Sequence, residues 1–295
     1  MQTPFLTLRD LLRHAITRFN GAGLFFGHGS GNAYDEAAFL LLQALKLPLD
    51  ALDPFLDARL LPEEIDALLK IIERRAVERV PAAYIAKEAW LAGYKFYVDE
   101  RVIVPRSFIA ELIPEHFAPW VADPDNVTDI LELCTGSGCL AILMADAFEA
   151  ASIDAVDIST DALEVARRNV DDYALAHRIN LVRSDLYSAL PNKTYDLIIT
   201  NPPYVNADSM ARLPQEYRHE PELALAGGTD GMDLVRKIVE GARDRLNPGG
   251  VLIVEIGNER EHAEAAFPDM ELTWLSTSAG DDMVFLLTAE QLAQE

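Results

Sequence analysis

Ile130-Leu131-Glu132-Leu133-Cys134-Thr135-Gly136-Ser137-Gly138 is the stretch that decides the fold. An apolar run of strand length breaks at two glycines, and a helix-length apolar segment, Gly138 to Phe148, follows at once. Glycine lets the backbone turn tightly and approach a ligand, and the first turn of the following helix offers free N–H groups. The dinucleotide fingerprint Gly-x-Gly-x-x-Gly is not completed, because its third glycine position is Ala141, so pyrophosphate binding is not favoured. Taken alone, the motif favours a ligand-binding turn but is also compatible with a plain strand-to-helix turn.

The pattern repeats downstream. Val127–Leu133, Ser152–Ile158, Asn180–Arg183, Tyr195–Thr200 and Val251–Ile256 read as strands. Thr160–Ala176, Met232–Leu246 and Glu259–Phe267 read as helices, the Met232 helix ending at Asn247-Pro248-Gly249-Gly250. Strands alternating with helices predict an α/β fold with a mostly parallel, doubly wound sheet. Glu271–Leu275 and Met283–Thr288 lack a helix between them, so the last pair is expected to run antiparallel. In such sheets ligands sit at the carboxyl edge. That edge carries Asp157 after the second strand, placed to bind two ribose hydroxyls, as occurs with NAD and with S-adenosylmethionine. After the third strand comes Asp185, placed to accept from an adenine amino group, with Leu186 able to pack on the ring. The fourth strand is followed by Asn201-Pro202-Pro203-Tyr204. Two prolines cannot donate to a ladder, so they end the strand and stiffen the chain.

Upstream of the sheet, three amphipathic helices are expected within residues 1–80: one through Leu8, Leu11, Leu12, Ala15 and Phe19, one from Tyr34 to Leu45, and one opened by Pro62-Glu63-Glu64. Phe26-Gly27-His28-Gly29-Ser30-Gly31-Asn32-Ala33 reads as a loop, with His28 either packed between helices or facing substrate. Residues 81–106 read as a β-hairpin linker with Asp99-Glu100 at its turn. A helix from Ser107 to Phe117 opens the third region, 107–295.

The 295 residues carry a net charge of −23. Nucleic-acid binding needs a field of Lys and Arg, so a free nucleic acid is an unexpected partner, while a basic protein suits this charge. Cys134 and Cys139 fit neither a disulfide framework nor a zinc pattern, and no metal is expected. No apolar run has membrane-helix length and the N-terminus is no secretory signal, so a soluble cytoplasmic protein is the expectation.

Together, the glycine turn, Asp157, Asp185 and Asn201-Pro202-Pro203-Tyr204 resemble the class I S-adenosylmethionine-dependent methyltransferases over about residues 105–288. The resemblance implies a Rossmann-like seven-stranded sheet of order 3-2-1-4-5-7-6 with the seventh strand antiparallel. It implies S-adenosyl-L-methionine as cofactor, S-adenosyl-L-homocysteine as product, and cofactor contacts from Glu132, Cys134, Thr135, Gly136, Ser137, Gly138, Asp157, Ile158, Asp185, Leu186 and Asn201. The four-residue motif resembles that of enzymes methylating planar, conjugated nitrogens: glutamine amides in proteins, and exocyclic amines in nucleic acids. Such a nitrogen is a poor nucleophile. Asn201 Oδ1 and the Pro202 carbonyl are the candidate acceptors that would orient it and stabilise developing positive charge, with Pro203 stiffening the motif and Tyr204 packing on the flat group.

The segment Asn206–Leu225, with Glu220-Pro221 and Asp230-Gly231, is similar to the protein glutamine methyltransferases that carry a helical N-terminal domain. Three stretches, Phe26–Ala33, Tyr97–Ser107 and Leu213–Pro221, lean towards the members modifying ribosomal protein L-three, although Phe108 stands where that pattern more often has proline. The expected reaction is transfer of a methyl group to one glutamine side-chain amide of that protein. The rivals are the same reaction on peptide release factors, an adenine-type DNA methyltransferase, and a non-enzymatic cofactor-binding assembly factor. Because the catalytic region reads as complete by itself, residues 1–80 are expected to recognise the target.

Overall fold

The computed structural model describes residues 5–294. Four helices come first: α1 (Leu8–Ala22), α2 (Ala33–Ala44), α3 (Pro62–Ala76) and the short α4 (Ala82–Ala86). Local chemistry fixes their starts. Thr7 and Asp10 form a reciprocal capping box on α1, Asn32 Oδ1 accepts two backbone N–H groups at the head of α2, and Pro62 opens α3. The inward stripes close on one apolar cluster that includes Leu11, Phe19, Leu41 and Leu68.

The linker holds a small hairpin, β1 (Ala89–Leu91) with β2 (Tyr94–Phe96). Its turn is Ala92-Gly93, not the expected Asp99-Glu100, because both residues take the left-handed backbone that a two-residue hairpin loop requires. Asp99 is instead a clamp, accepting from the Tyr97 hydroxyl and from the Arg101 guanidinium. Residues 101–104 form no strand. The helix expected over Ser107–Phe117 is also shorter. Only α5 (Ile109–Leu112) forms, Pro114 lies in a 3-10 turn, and His116 and Phe117 have positive φ.

A seven-stranded sheet follows, built from β3 (Asp129–Leu133), β4 (Ser152–Asp157), β5 (Ile179–Arg183), β6 (Tyr195–Thr200), β7 (Leu246–Glu255), β8 (Thr273–Thr277) and β9 (Gly280–Thr288). Its spatial order is β5-β4-β3-β6-β7-β9-β8, all parallel except β9, which runs antiparallel to both neighbours. That is the order 3-2-1-4-5-7-6 when the sheet's own strands are counted. Between the strands lie α6 (Cys139–Ala147), α7 (Thr160–Asp172), the short α8 (Ala207–Met210), α9 (Asp233–Ala242) and α10 (Arg260–Ala266), and α11 (Ala289–Leu292) follows β9. Successive strand residues alternate between two cores, so that Ile130, Leu197 and Ile253 pack under α6 while Leu131, Ile198 and Leu252 pack under α9 and α10. Each such fully buried side chain contributes about 1.5–3 kcal/mol.

Two helix ends differ from expectation. The helix from Thr160 stops at Asp172 rather than Ala176, because Ala174 takes a left-handed φ. The helix expected to reach Leu246 stops at Ala242, and Leu246 to Gly250 belong to β7: Leu246 pairs with Tyr195, and a register shift absorbs the Pro-Gly-Gly stretch.

Candidate active site

Asn201, half-buried, stands at the carboxyl end of β6. It borders two cavities at once. One, of about 510 Å³, is lined by Cys134, Gly136, Asp157, Ser159 and Pro203, with Arg101–Ile103 of the linker and Pro221, Leu223 and Ala224 across from them. The other, a cleft of about 810 Å³, is lined by Arg106, Pro202, Tyr204, Leu213, Tyr217, Asn258 and Glu259. Ile103, Asn201 and Ala224 border both.

The first cavity sits over the glycine turn. Cys134, Gly136 and Gly138 all have positive φ, and a Cβ on Gly138 would lie 3.2 Å from Ala166 Cβ, so this turn packs closely on α7. Asp157 accepts from the Gly136 N–H at 2.9 Å and from the Ser159 N–H at 2.9 Å, while burial pushes its carboxyl above the ordinary carboxylate range. Each oxygen keeps a lone pair for a further donor. Burial also pushes the Cys134 thiol up to about 12, so it is a neutral wall rather than a nucleophile.

Other expected cofactor residues lie around this cavity without lining it. Glu132 is buried beneath the turn and accepts the Thr135 hydroxyl at 2.6 Å; burial pushes its carboxyl up to about 8, against the opposing hydrogen bonds of Thr135 and the Ala141 N–H. Ser137 is buried, and its carbonyl accepts from Asn169 at 2.8 Å. Ile158 and Asp185 are exposed at the tips of β4 and β5, with Leu186 half-buried beside Asp185. Sequence reasoning missed the roof, Arg101–Ile103 and Pro221–Ala224. The first has no regular structure and the second is a single 3-10 turn, so no periodicity marks them. Among the described residues no group of His, Cys, Asp and Glu side chains gathers to hold a metal ion.

Around the second cavity, three glycines make room for the motif. A Cβ on Gly227 would lie 2.7 Å from Tyr204 Cα, one on Gly231 2.2 Å from the Tyr204 carbonyl oxygen, and one on Gly257 2.6 Å from the Tyr204 ring. Gly257→Ala therefore displaces the ring, and it is expected to slow turnover on the order of a hundredfold. Gly249→Ala is the control. It has positive φ as well but open space around it, so kcat should stay at the parent value while both variants lose about 1–2 kcal/mol of stability. Equal kcat in the two variants would refute a positional role for Tyr204.

The outer wall of the second cavity is held from a distance. Glu220, fully buried, accepts from both terminal nitrogens of Arg106 at 2.5 and 2.7 Å and from the Val104 N–H at 2.9 Å. Tyr217 lies under the Arg106 guanidinium, 5.2 Å from carbon to ring centre, and 4.5 Å from the His28 ring. One residue before Tyr217, Glu216 accepts from the Phe25 N–H and from Arg79, with buried Arg75 at 3.5 Å; Arg75 itself donates to Glu36 and to the Phe25 carbonyl. The N-terminal helices thus grip the segment that carries Tyr217 into the cleft. His28 is buried against Tyr217.

A methyltransferase small-domain family model matches residues 115–216. The ribosomal protein uL3 glutamine methyltransferase of Burkholderia pseudomallei is 63% identical over 98% of this chain and 97% of its own. This chain belongs to the ribosomal protein uL3 glutamine methyltransferase family. Members from Bordetella pertussis and Neisseria meningitidis serogroup B are 60% and 58% identical, over 97% and 98% of this chain and 96% and 95% of theirs. Among solved structures, the hMettl16 catalytic domain shares the fold, with a TM-score of 0.50 and 14% identity, covering 79% of this chain and 84% of that one. The uL3 glutamine methyltransferase family thus accounts for the seven-stranded sheet and for the four helices before it together, since the similarity runs almost end to end. No helix among the described residues is long and apolar enough to cross a membrane.

Proposed function

We propose that this chain transfers a methyl group from S-adenosyl-L-methionine to the side-chain amide nitrogen of one glutamine in ribosomal protein uL3, the L-three protein. The observation that carries the reading is the position of Asn201, the wall shared by a cavity over the glycine turn and a cleft behind the Asn-Pro-Pro-Tyr motif. When bound, S-adenosyl-L-methionine supplies a methyl already activated by positive sulfur.

The first cavity fits that cofactor. Asp157 has lone pairs left for ribose hydroxyls. The glycine turn brings backbone close to the cavity, and Glu132, Thr135, Ser137 and Gly138 hold the turn from below, with Ile158, Asp185 and Leu186 at the adenine end. In the cleft, Asn201 Oδ1 and the Pro202 carbonyl accept the two amide N–H groups. That orients the nitrogen lone pair towards the shared wall and stabilises the charge it acquires. The methyl would pass from sulfur to the amide nitrogen, leaving a neutral thioether, and the nitrogen's surplus proton would go to solvent, so no strong base is needed. Pro203 fixes the backbone and Tyr204 packs on the flat amide. Arg106 is committed to Glu220, and the thiol of Cys134 is neutral, which leaves the motif as the chemical centre.

The target assignment rests on the printed function of relatives that match nearly the whole chain. Incubating purified uL3 and a peptide release factor separately with methyl-labelled cofactor tests it. Label on one glutamine peptide of uL3 is expected, and label on the release factor alone would overturn the reading.

A further inference from the structure

Outside the two catalytic cavities, the loop after α1 and the hairpin linker enclose a third, of about 420 Å³, lined among others by His28, Ser30, Phe39, Glu88, Trp90 and Val104. Three features give it a chemical character. First, His28 is almost wholly buried, and neither ring nitrogen has a hydrogen-bond partner. Its Nε2 lies 3.5 Å from Glu220 Oε1, too long for a firm bond but close enough for the carboxylate to favour a proton on that nitrogen. Nδ1 is then an acceptor in want of a donor.

Second, the Trp90 indole N–H donates to Glu88 Oε1 at 3.0 Å, which sets an aromatic face beside a carboxylate. A ring and a carboxylate meeting at a corner attract an ammonium or guanidinium group, the ring through its quadrupole and the acid through its charge. Third, that corner is weakly filled. Lys95 Nζ stands 3.8 Å from Glu88 Oε2 and is largely in solvent, while Trp90 is itself 48% exposed. A buried acceptor, an exposed aromatic face and a carboxylate held by a loose surface lysine are what a long basic side chain can satisfy together: its stem on Phe39 and Trp90, its head on Glu88 and His28.

We infer that this cavity is a docking subsite for one lysine or arginine side chain of the protein substrate, apart from the glutamine that is methylated. The inference rests on the proposed methylation of uL3 and adds to it a place where a basic residue of uL3 is read. The net charge of −23 favours a cationic occupant over an acidic one. The buried wall of His28, Glu220 and Arg106 separates the subsite from the acceptor cleft, so the occupant and the target glutamine lie on either side of one layer of side chains.

The test uses the full chain with intact uL3. Glu88→Gln keeps an acceptor for the Trp90 N–H while removing the charge, and Trp90→Ala removes the aromatic face. Each is expected to raise KM for uL3 about tenfold with kcat within about twofold, and to leave the affinity for S-adenosyl-L-methionine, measured by calorimetry, at the parent value. Replacing the uL3 Lys and Arg residues one at a time by Gln should reveal one whose loss raises KM equally for the parent and adds nothing to Glu88→Gln. An unchanged KM in both enzyme variants would overturn the subsite. So would a parallel fall in kcat and cofactor affinity, which is the mark of general damage to the fold. If the parent chain leaves uL3 unlabelled, the proposed function fails and this subsite fails with it; if the parent labels uL3 and the variants match it, the subsite alone fails.

Discussion

The Asn201→Ala chain should turn over on the order of a hundredfold more slowly than its parent, by comparison with the loss of a single transition-state hydrogen bond in other enzymes. The amide nitrogen of glutamine holds its lone pair in conjugation with the carbonyl. It becomes a nucleophile only as that conjugation is given up and positive charge builds on nitrogen. In the proposed mechanism Asn201 Oδ1 faces that charge in the transition state more strongly than it faces the neutral amide beforehand, so its removal should fall on kcat. Asn201 also borders the cavity proposed for the cofactor, but Cys134, Gly136, Asp157 and the 101–103 segment remain there. Calorimetry should accordingly find cofactor affinity within a few-fold of the parent while single-turnover methylation drops. If methylation persists at the parent rate, the motif is a structural turn and the chain acts as a binding protein. If affinity and rate fall by the same factor, Asn201 serves the cofactor and not the amide.

Glu220→Ala should cost about 3 kcal/mol of stability, because truncating one partner of a buried pair leaves the other charge uncompensated; the lower end applies since a quarter of the Arg106 side chain reaches solvent. It also strips an acceptor from the Val104 N–H and frees Tyr217 from beneath Arg106, so KM for the protein substrate should rise along with the loss of stability. Burial alone would raise the Glu220 carboxyl, but His28 and the Arg106 guanidinium outweigh it and hold it at about 2, below its ordinary 4.5. A depressed carboxyl stabilises the folded state above its unfolded value and loses that contribution as pH falls. The gap between parent and variant in urea midpoint should therefore be widest above pH 4.5 and narrow steadily towards pH 2. A gap that stays constant across that window would mean that Glu220 acts by shape and not by charge.

Much of the catalytic geometry is local, and so it was legible in the amino-acid sequence. Each strand, its glycine or acid at the tip, and the following helix are consecutive residues whose periodicity changes from two to 3.6. The sheet order came with the family resemblance, and the pairings bear it out. What escaped was long-range or disguised. Arg106 and Glu220 are 114 positions apart, and nothing near either residue signals the other. The hairpin turn was hidden because Ala92-Gly93 sits inside an apolar run, while Asp99-Glu100 does begin a turn, closed by the Val102 N–H on the Asp99 carbonyl, but one that joins no pair of strands. Ser107 looks like a helix cap and does accept the Ile109 N–H at 3.2 Å, but nothing in the sequence signals its second role: its hydroxyl donates to buried Glu255 at 2.5 Å and ties the linker to β7. The contacts between the N-terminal helices and the 215–219 turn are equally long-range. Phe25, Arg75 and Arg79 all meet Glu216, on the turn that carries Tyr217 into the cleft.

The wall shared by the two cavities has a consequence for inhibitor chemistry. Because Ile103, Asn201 and Ala224 border both spaces, an adenosine joined through a short tether to a glutamine amide would occupy both without a detour. Once one half is seated, the other is presented at an effective concentration set by the tether, in the millimolar range for a short one, so two weak fragments would combine into one tight ligand. A tether cut to this particular span would also be a poor fit for methyltransferases whose donor and acceptor sites are set further apart.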